Sequence, residues 1–486
     1  MPYFLVENFK AGLDVRKSVL TAPAGTLTKL VNAAITPGGE IQKRRAFVKV
    51  ANVAGTFGLA SIGSTLVMFS RNVDVAPPTI AGLTDVTLRV DKIPNASPTL
   101  VQTDFDVFDG KLYFAGYDAA GATVKAKNPH YYDDAATGAA PVYVETEGSG
   151  MGLYVRSYKS KMYAVGDKYL RFSVIENPKL WEPATDPNDT TRTGCGFINI
   201  SLQEGQSAKL QGVEIYYDRL AIMSEYTTQM WAVVSDPKQN ALGQVLRATG
   251  TRAPWSIQQY GSGDILFLSS SGIRSLKARD ISNSAAVSDI GSPVDDYVRY
   301  LPKRYGSNNF LYNARSILEP VIGRFWMAFP REILVLSYFP GPGITAWSVY
   351  TTPFNIDNIV SCGDRVFIRS GDDLYLFGGV SQEVWDDCPV EVRLPYLDGG
   401  KPGHAKMFQA LDVTATGEWD VKIGYNFDQQ EAEEMVGTVT APTWNKGRYE
   451  LQGYASHMSL RFYCNVTGPA TLSNAAIHYM MATDAD

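Results

Sequence analysis

Along most of the chain, apolar and polar residues alternate over short runs that break at Gly, Asp, Asn or Ser, the pattern of strands joined by tight turns. One phrase reads Asp104-Phe105-Asp106-Val107-Phe108, a turn at Asp109-Gly110, then Leu112-Tyr113-Phe114. The next runs from Tyr154 to Tyr158, turns at Lys159-Ser160, continues from Met162 to Val165, turns at Gly166-Asp167 and resumes from Tyr169 to Phe172. A third spans Gly212 to Tyr217, Leu220 to Ile222 and Gln229 to Val233. Later copies centre on Ile265 to Leu268, Phe325 to Phe329 and Val366 to Ile368, and an earlier, weaker one on Leu66 to Phe69. The central strands begin at 66, 112, 162, 220, 265, 325 and 366. A meander recurring at roughly 40–50 residues predicts a β-propeller, here of six or seven blades over residues 56–388.

Three interruptions, Asp118 to Pro141, Asn177 to Cys195 and Lys277 to Phe310, read as loops leaving the blades. The last contains Val294 to Leu301, whose apolar spacing predicts a short helix between blades. Residues 1–55 read as an irregular arm and docking segment. One short helix is predicted there from Thr26 to Ala34, after Pro23 and Gly25 and before Pro37-Gly38-Gly39. From residue 389 the meander phrase stops. Val390 to Leu394, Met407 to Val413, Trp419 to Tyr425, Arg448 to Leu451, Ser459 to Tyr463 and Ala475 to Tyr479 alternate as strands of a separate β-sandwich over 389–486. The fold class expected is all-β: a propeller, a C-terminal β-sandwich and an irregular N-terminal arm.

Composition adds little to that picture. The chain has 486 residues, enough for two or three domains. No stretch approaches the roughly 20 apolar residues of a membrane span. Met1 to Val6 lacks a basic n-region, so no secretory signal is expected. Cys195, Cys362, Cys388 and Cys464 are scattered without a Cys-x-x-Cys pair. They read as reduced thilos of a chain made in a cytoplasm, and the sequons at Asn95, Asn188, Asn199 and Asn465 then carry no glycan. Charge is uneven. Residues 1–50 hold eight Lys/Arg against three acids, and residues 381–486 hold seven against fifteen, within a net charge of −6. A basic head and an acidic tail suggest two different neighbours.

Catalytic patterns are missing from the sequence. His130, His404, His457 and His478 are far apart, and there is no Gly-x-Ser-x-Gly or His-Glu-x-x-His. Gly148-Ser149-Gly150-Met151-Gly152 leads into a strand rather than a helix, so it reads as a link between blades, not a phosphate cradle. Asp186, Asn188 and Asp189 lack the spacing of a calcium loop. Trp385-Asp386 reads as the end of a strand. The adjacent pairs Asp295/Asp296, Asp372/Asp373 and Asp386/Asp387 would point to opposite faces of a strand and cannot flank one bond. Arg299 to Tyr305 interleaves aromatic and basic residues as a single-strand nucleic-acid platform does, but in an acidic chain it reads as the exposed face of the inter-blade helix. No catalytic, cofactor-binding or metal-binding residue is assigned, and no enzyme activity or cofactor is expected.

Two segments resemble a known family. Asn8 to Asp14, Lys29-Leu30-Val31-Asn32-Ala33-Ala34 and Gly38-Gly39-Glu40-Ile41-Gln42-Lys43-Arg44-Arg45 resemble the opening of tail-tube nozzle and packaged-DNA stabilisation (head-closure) proteins of short-tailed bacteriophages. Pro402 to Met407, Gly417 to Tyr425 and Gly468 to Leu472 are similar to the C-terminal part of the same family. The resemblance implies a propeller-based structural protein of the virion, assembled in the host cytoplasm, in a six-fold ring around the DNA exit channel. Its partners would be further copies of itself, adjacent tail or adaptor rings, and double-stranded DNA passing without sequence-specific binding. No catalytic residues come with it. The basic head then supplies candidate docking residues: Lys10, Arg16, Lys17, Lys43, Arg44 and Arg45. The alternatives are a glycan-binding or host-recognition propeller with a lectin-like sandwich, and, less favoured, a glycan-cleaving propeller. The latter lacks the repeated Ser-x-Asp-x-Gly-x-Thr-Trp box.

Overall fold

The apolar quartets that mark the repeats are strands buried on both faces. In Leu66-Val67-Met68-Phe69, Leu66 and Met68 pack toward one neighbouring sheet, and Val67 and Phe69 toward the other. Leu220 and Ile222 separate from Ala221 and Met223 in the same way, as do Phe325 and Met327 from Trp326 and Ala328. Alternate residues leave opposite faces of a strand, so every position is apolar only where sheets lie on both sides.

The computed structural model describes residues 2–71, 76–93, 100–118, 125–126, 130–133, 142–145, 152–186, 188–200, 209–261, 263–282, 289–305, 313–445 and 447–481. Each predicted central strand is the second strand of its own sheet. Blade one comprises Thr56–Ile62, Thr65–Ser70 and Thr87–Lys92, the last running parallel to the second. Blade two comprises Leu100–Phe108, Lys111–Asp118, His130–Asp133 and Val142–Glu145. The stretch after Asp118, expected to be a loop, therefore carries a strand of the blade. Blades three and four run through Tyr154–Tyr158, Lys161–Val165, Tyr169–Phe172 and Gly196–Asn199, then Leu210–Tyr216, Arg219–Ser224, Thr227–Ala232 and Ala241–Arg247. Blade five is Gln258–Tyr260, Asp264–Ser269 and Gly272–Ser275. Blade six is Arg315–Leu318, Phe325–Ala328, Glu332–Phe339 and Ile344–Thr351. Blade seven is Asn358–Cys362, Arg365–Ser370 and Asp373–Phe377, completed by Phe47–Asn52 from the N-terminal segment.

The first strand of each sheet touches the first strand of the next, and that of blade seven touches that of blade one. The fold is a closed seven-bladed propeller. Its core lies in wedges between adjacent sheets, one apolar cluster to each wedge. Two-residue hairpin turns at Asp109-Gly110 and Lys159-Ser160 have positive φ at both positions, the turn that follows the strand twist. The helix expected near Val294 is present as Asp295–Tyr305.

The N-terminal segment departs from expectation. No helix spans Thr26 to Ala34. That stretch forms strands Thr26–Leu27, Lys29–Val31 and Ala33–Ile35, interrupted at Asn32, whose φ of +56° no right-handed helix accommodates. Phe47–Asn52, assigned by sequence to the arm, closes the propeller instead, as its register against Asp373–Phe377 requires.

Two further sheets pack face to face beyond the ring. One holds Tyr449–Ala455, Lys406–Thr416, Thr471–Met481, Ile41–Lys43 and Ala33–Ile35, with Tyr3–Val6 on the same edge. The other holds Lys29–Val31, Val390–Arg393, Ser459–Cys464, Trp419–Gly424 and Glu433–Val439, and continues into blade six through Val31 opposite Val349. Phe408, Leu411 and Ile477 of the first meet Val392, Val421 and Phe462 of the second in one core that extends into blades five and six. Gly12 shows how tightly the arm is laid down. Its φ is +58°, and a Cβ there would stand 2.7 Å from the Ala346 Cβ.

Candidate functional site

The arm meets the rest of the molecule at a buried polar joint. Asn32 Nδ2 donates to Pro389 O at 2.8 Å and to Thr351 Oγ1 at 2.9 Å, while its Oδ1 accepts from Thr351 N at 2.8 Å and Arg44 Nε at 3.0 Å. The Arg44 guanidinium also donates to Asp386 Oδ2 at 3.0 Å and Arg45 O at 2.8 Å. Beside it, Lys43 Nζ donates to Asp386 O at 2.7 Å and to Val466 O. Arm, blade six, the 378–389 connector and the sandwich all converge here. Asp386 therefore does not end a strand; it anchors the connector.

This changes the reading of the basic head. Lys43 and Arg44 are 2% and 3% exposed, because a buried cation must be fully partnered and their partners lie inside the chain. They offer nothing to a neighbour. Lys10 and Arg45 are half-buried, and only Arg16 and Lys17 of the six candidates are exposed, both close to Asp14. Much of the charge asymmetry closes internally too. Lys29 pairs with Glu391 at 2.7 Å and Lys49 with Asp373 at 2.7 Å. On the outer sheet of the sandwich, Arg393 and Arg461 take up Glu391, Glu431 and Glu433.

The other concentration of charge faces the bore of the propeller. The innermost strands of successive blades bring Asp104, Asp106, Arg156 and Glu214 together. Arg156 Nη1 donates to Asp104 Oδ2 at 2.7 Å and its Nε to Glu214 Oε2 at 2.8 Å, linking blades two, three and four. Burial works to lower the pKa of Arg156, but the two carboxylates outweigh it and hold the group well above its ordinary value. Across the cavity, which measures about 360 Å³, Arg315 of blade six lies over Trp255 with its guanidinium carbon 4.4 Å from the ring centroid. Sequence reasoning passed over these residues. The signal existed: the first strand of a meander, such as Asp104-Phe105-Asp106, carries charges at alternate positions of an otherwise apolar phrase.

The remaining candidates form no reacting pair among the described residues. His478 Nε2 and Asp412 Oδ2 are 2.9 Å apart, with Thr443 Oγ1 donating to Asp412 Oδ1 at 2.9 Å and Arg448 at 3.0 Å. The Thr443 hydroxyl bonds the carboxylate rather than the imidazole, so the cluster ties Thr443 and Arg448 to the sheet. His457 Nδ1 meets only the adjacent Ser456 hydroxyl at 2.9 Å. Asp186 accepts from Asn188 N, and Asp189 caps the turn Thr190–Arg192; their oxygens do not converge. No group of three or more His, Cys, Asp or Glu among the described residues is placed to hold a metal ion, and no described helix is long and apolar enough to cross a membrane. Residues 148–151 of the glycine-rich link and the His130 side chain lie outside the described residues.

All four cysteines are free thiols. Burial pushes Cys362 up to about 11 and Cys388 up to about 12, and raises Cys464 as well. A raised pKa keeps the thiol protonated, so at pH 8 a group with a pKa of about 11 is thiolate to roughly one part in a thousand. Alkylation of the native chain at pH 8, read by peptide mass spectrometry, is expected to label half-buried Cys195 first. The other three should react only on unfolding. Equal labelling of all four would contradict the packing described.

No protein-family model matches the chain, and no curated protein matches it. Among solved structures it is similar to the AfRom2 CNH domain, with 11% identity, a TM-score of 0.34, and coverage of 78% of this chain and 96% of that one. It is similar also to the Neurospora crassa Pan2 WD40 domain, with 9% identity, a TM-score of 0.32, and coverage of 57% of this chain and 88% of that one. The protein is a β-propeller protein with an attached β-sandwich.

Proposed function

We propose that this chain is a structural subunit of the tail nozzle or head-closure ring of a short-tailed bacteriophage. Six copies surround the DNA exit channel, and the chain turns over no substrate. The observation that carries the reading is the convergence of the two family-like stretches. Residues 8–50 and 402–472 fold onto one another: Ile41 and Gln42 pair with Leu472 and Thr471, Lys43 N donates to Ala470 O at 2.9 Å, and Ser473 Oγ donates to Glu40 at 2.6 Å. The residues that carry the resemblance are thus joints of one module fused to the propeller.

Such a build suits a ring that holds DNA back. Double-stranded DNA is stiff and highly charged, and when confined it pushes on whatever closes its exit. In such a subunit the N-terminal segment both closes the propeller and staples the sandwich, so load on one is carried into the other. The same segment uses Lys29, Lys43, Arg44 and Lys49 within the chain. That leaves fewer cations to grip phosphate, since each Lys or Arg contact adds affinity by releasing counterions. Docking onto an adjacent ring falls to exposed groups such as Arg16 and Lys17. The bore, with Arg315 over Trp255, favours as second reading a propeller that recognises a glycan on the host.

Particles assembled from a genome with an early stop codon in this gene are expected to package DNA and then lose it. The readout is nuclease-sensitive genome per particle. Full retention of DNA with normal infectivity would overturn the reading.

A further inference from the structure

We propose that the bore of the propeller is a binding site for small oxyanions, a carboxylate or phosphate group on a small solute, with the Arg315 guanidinium as its charged contact. Arg315 opens the innermost strand of blade six and lines the cavity beside Trp255 and Tyr154. Its backbone is held in the blade-six ladder opposite Ala328, but among the described residues its guanidinium has no hydrogen-bond or ion-pair partner; what holds the side chain is the indole face at 4.4 Å.

The acids across the cavity have hydrogen-bond partners of their own and none bonds Arg315. Asp104 and Glu214 take the Arg156 guanidinium at 2.7 and 2.8 Å. Asp106 accepts the backbone N–H groups of Val107 at 2.8 Å and Ser157 at 2.6 Å. The nearby Arg369 directs its donors to Asn358 Oδ1 at 2.8 Å, Gly371 O at 2.8 Å and Thr56 O at 3.2 Å. Asp357 Oδ2 stands 3.9 Å from its Nη1, and although Asp357 and Asp104 also favour the charge on Arg315, the repulsion from Arg369 is the larger of these effects. Burial, with Arg369 second, pushes the pKa of Arg315 down to about 10, so the group stays charged at neutral pH in surroundings that disfavour the charge. An oxyanion supplies the countercharge and the hydrogen-bond acceptors that this guanidinium lacks.

The geometry fits that class of ligand. With its Cζ 4.4 Å from the ring centroid and no acceptor engaged, the guanidinium has its N–H groups available, and their planar fork matches carboxylate or phosphate oxygens. At about 360 Å³ the cavity has the volume of on the order of ten water molecules, which admits a phosphate ion or a single acidic sugar residue.

The test is calorimetric titration of the full chain with inorganic phosphate and, separately, with galacturonate, ionic strength being held constant with sodium chloride. At least one probe is expected to give a saturable one-to-one isotherm. R315Q should weaken it at least tenfold, and R315K, which keeps the charge but loses the planar edge, at least threefold. R16Q, altered at an exposed arginine of the arm, should bind as the parent does. Binding of phosphate alone assigns the site to phosphates, and binding of galacturonate alone to carboxylates. A thermal transition establishes that each variant is folded; if R315Q is not, R315K carries the comparison. The proposal is overturned if neither probe binds the parent, or if the folded Arg315 variants bind within twofold of it. The readout is binding by the isolated chain, so its failure leaves the ring reading untouched.

Discussion

A chain starting at residue 53 is expected not to fold. The missing segment supplies the strand that completes blade seven and the strands that join both sheets of the sandwich. It also removes Phe9, Leu13, Leu27, Leu30, Ile35 and Ile41, all at most 3% exposed. At about 1.5–3 kcal/mol per buried side chain, these six contribute about 9–18 kcal/mol, against a typical net stability of about 5–15 kcal/mol. Loss of the pairing partners adds to that, because the edges left on blade seven and on the Thr471–Met481 strand invite association. The truncated chain should be insoluble or lack a cooperative thermal transition. A cooperative transition within a few degrees of the full chain would mean that the N-terminal segment is an appendage.

The second large effect is expected at Asn32. It is fully buried, adopts a left-handed backbone conformation and bonds three separate parts of the chain through its side chain. Asn32→Ala removes these bonds, leaves the buried Arg44 guanidinium short of one acceptor, and puts a residue with no local compensation at positive φ. The expected loss is at least about 3 kcal/mol, from one hydrogen bond to a charged group at about 1.5–3 kcal/mol and three neutral ones at about 0.5–1.5 kcal/mol each. Asn32→Gly loses the same bonds but accepts the backbone angle, so it should recover about 1 kcal/mol of that loss. Denaturant midpoints at unchanged m-value read both. Were Asn32→Ala to fall within 1 kcal/mol of the parent, the joint would not hold the arm.

How much of this was legible follows from where each residue finds its partners. The blades announced themselves because their second strands are buried on both faces and their turns are local, as at Asp109-Gly110. Every one of the seven starting positions lies on such a strand. The arm was opaque for the opposite reason. Its strands are two to six residues long, and those that tie it to the rest of the molecule pair with strands far away in the chain, Lys29–Val31 with Val390–Arg393 for example. Leu27, Leu30, Val31 and Ala34 fall at helical spacing by coincidence, and nothing local reveals the sheet that claims them. The Lys43-Arg44 pair misled similarly. Two adjacent cations read as surface, yet their acceptors at Asp386 and Val466 sit more than 300 residues on. The bore was partly legible, through charges at alternate positions of first strands, but which charges pair and which stays unpaired depends on the order of blades around the ring.

A reconstruction of the intact particle at its tail decides whether this chain rings the DNA exit. A six-fold ring of propellers is expected, each with Phe47–Asn52 in its own blade seven, with a DNA-facing surface that is not lined by Lys or Arg. Density placing the chain off the DNA path, or a bore lined with Lys and Arg side chains on the duplex, would contradict it.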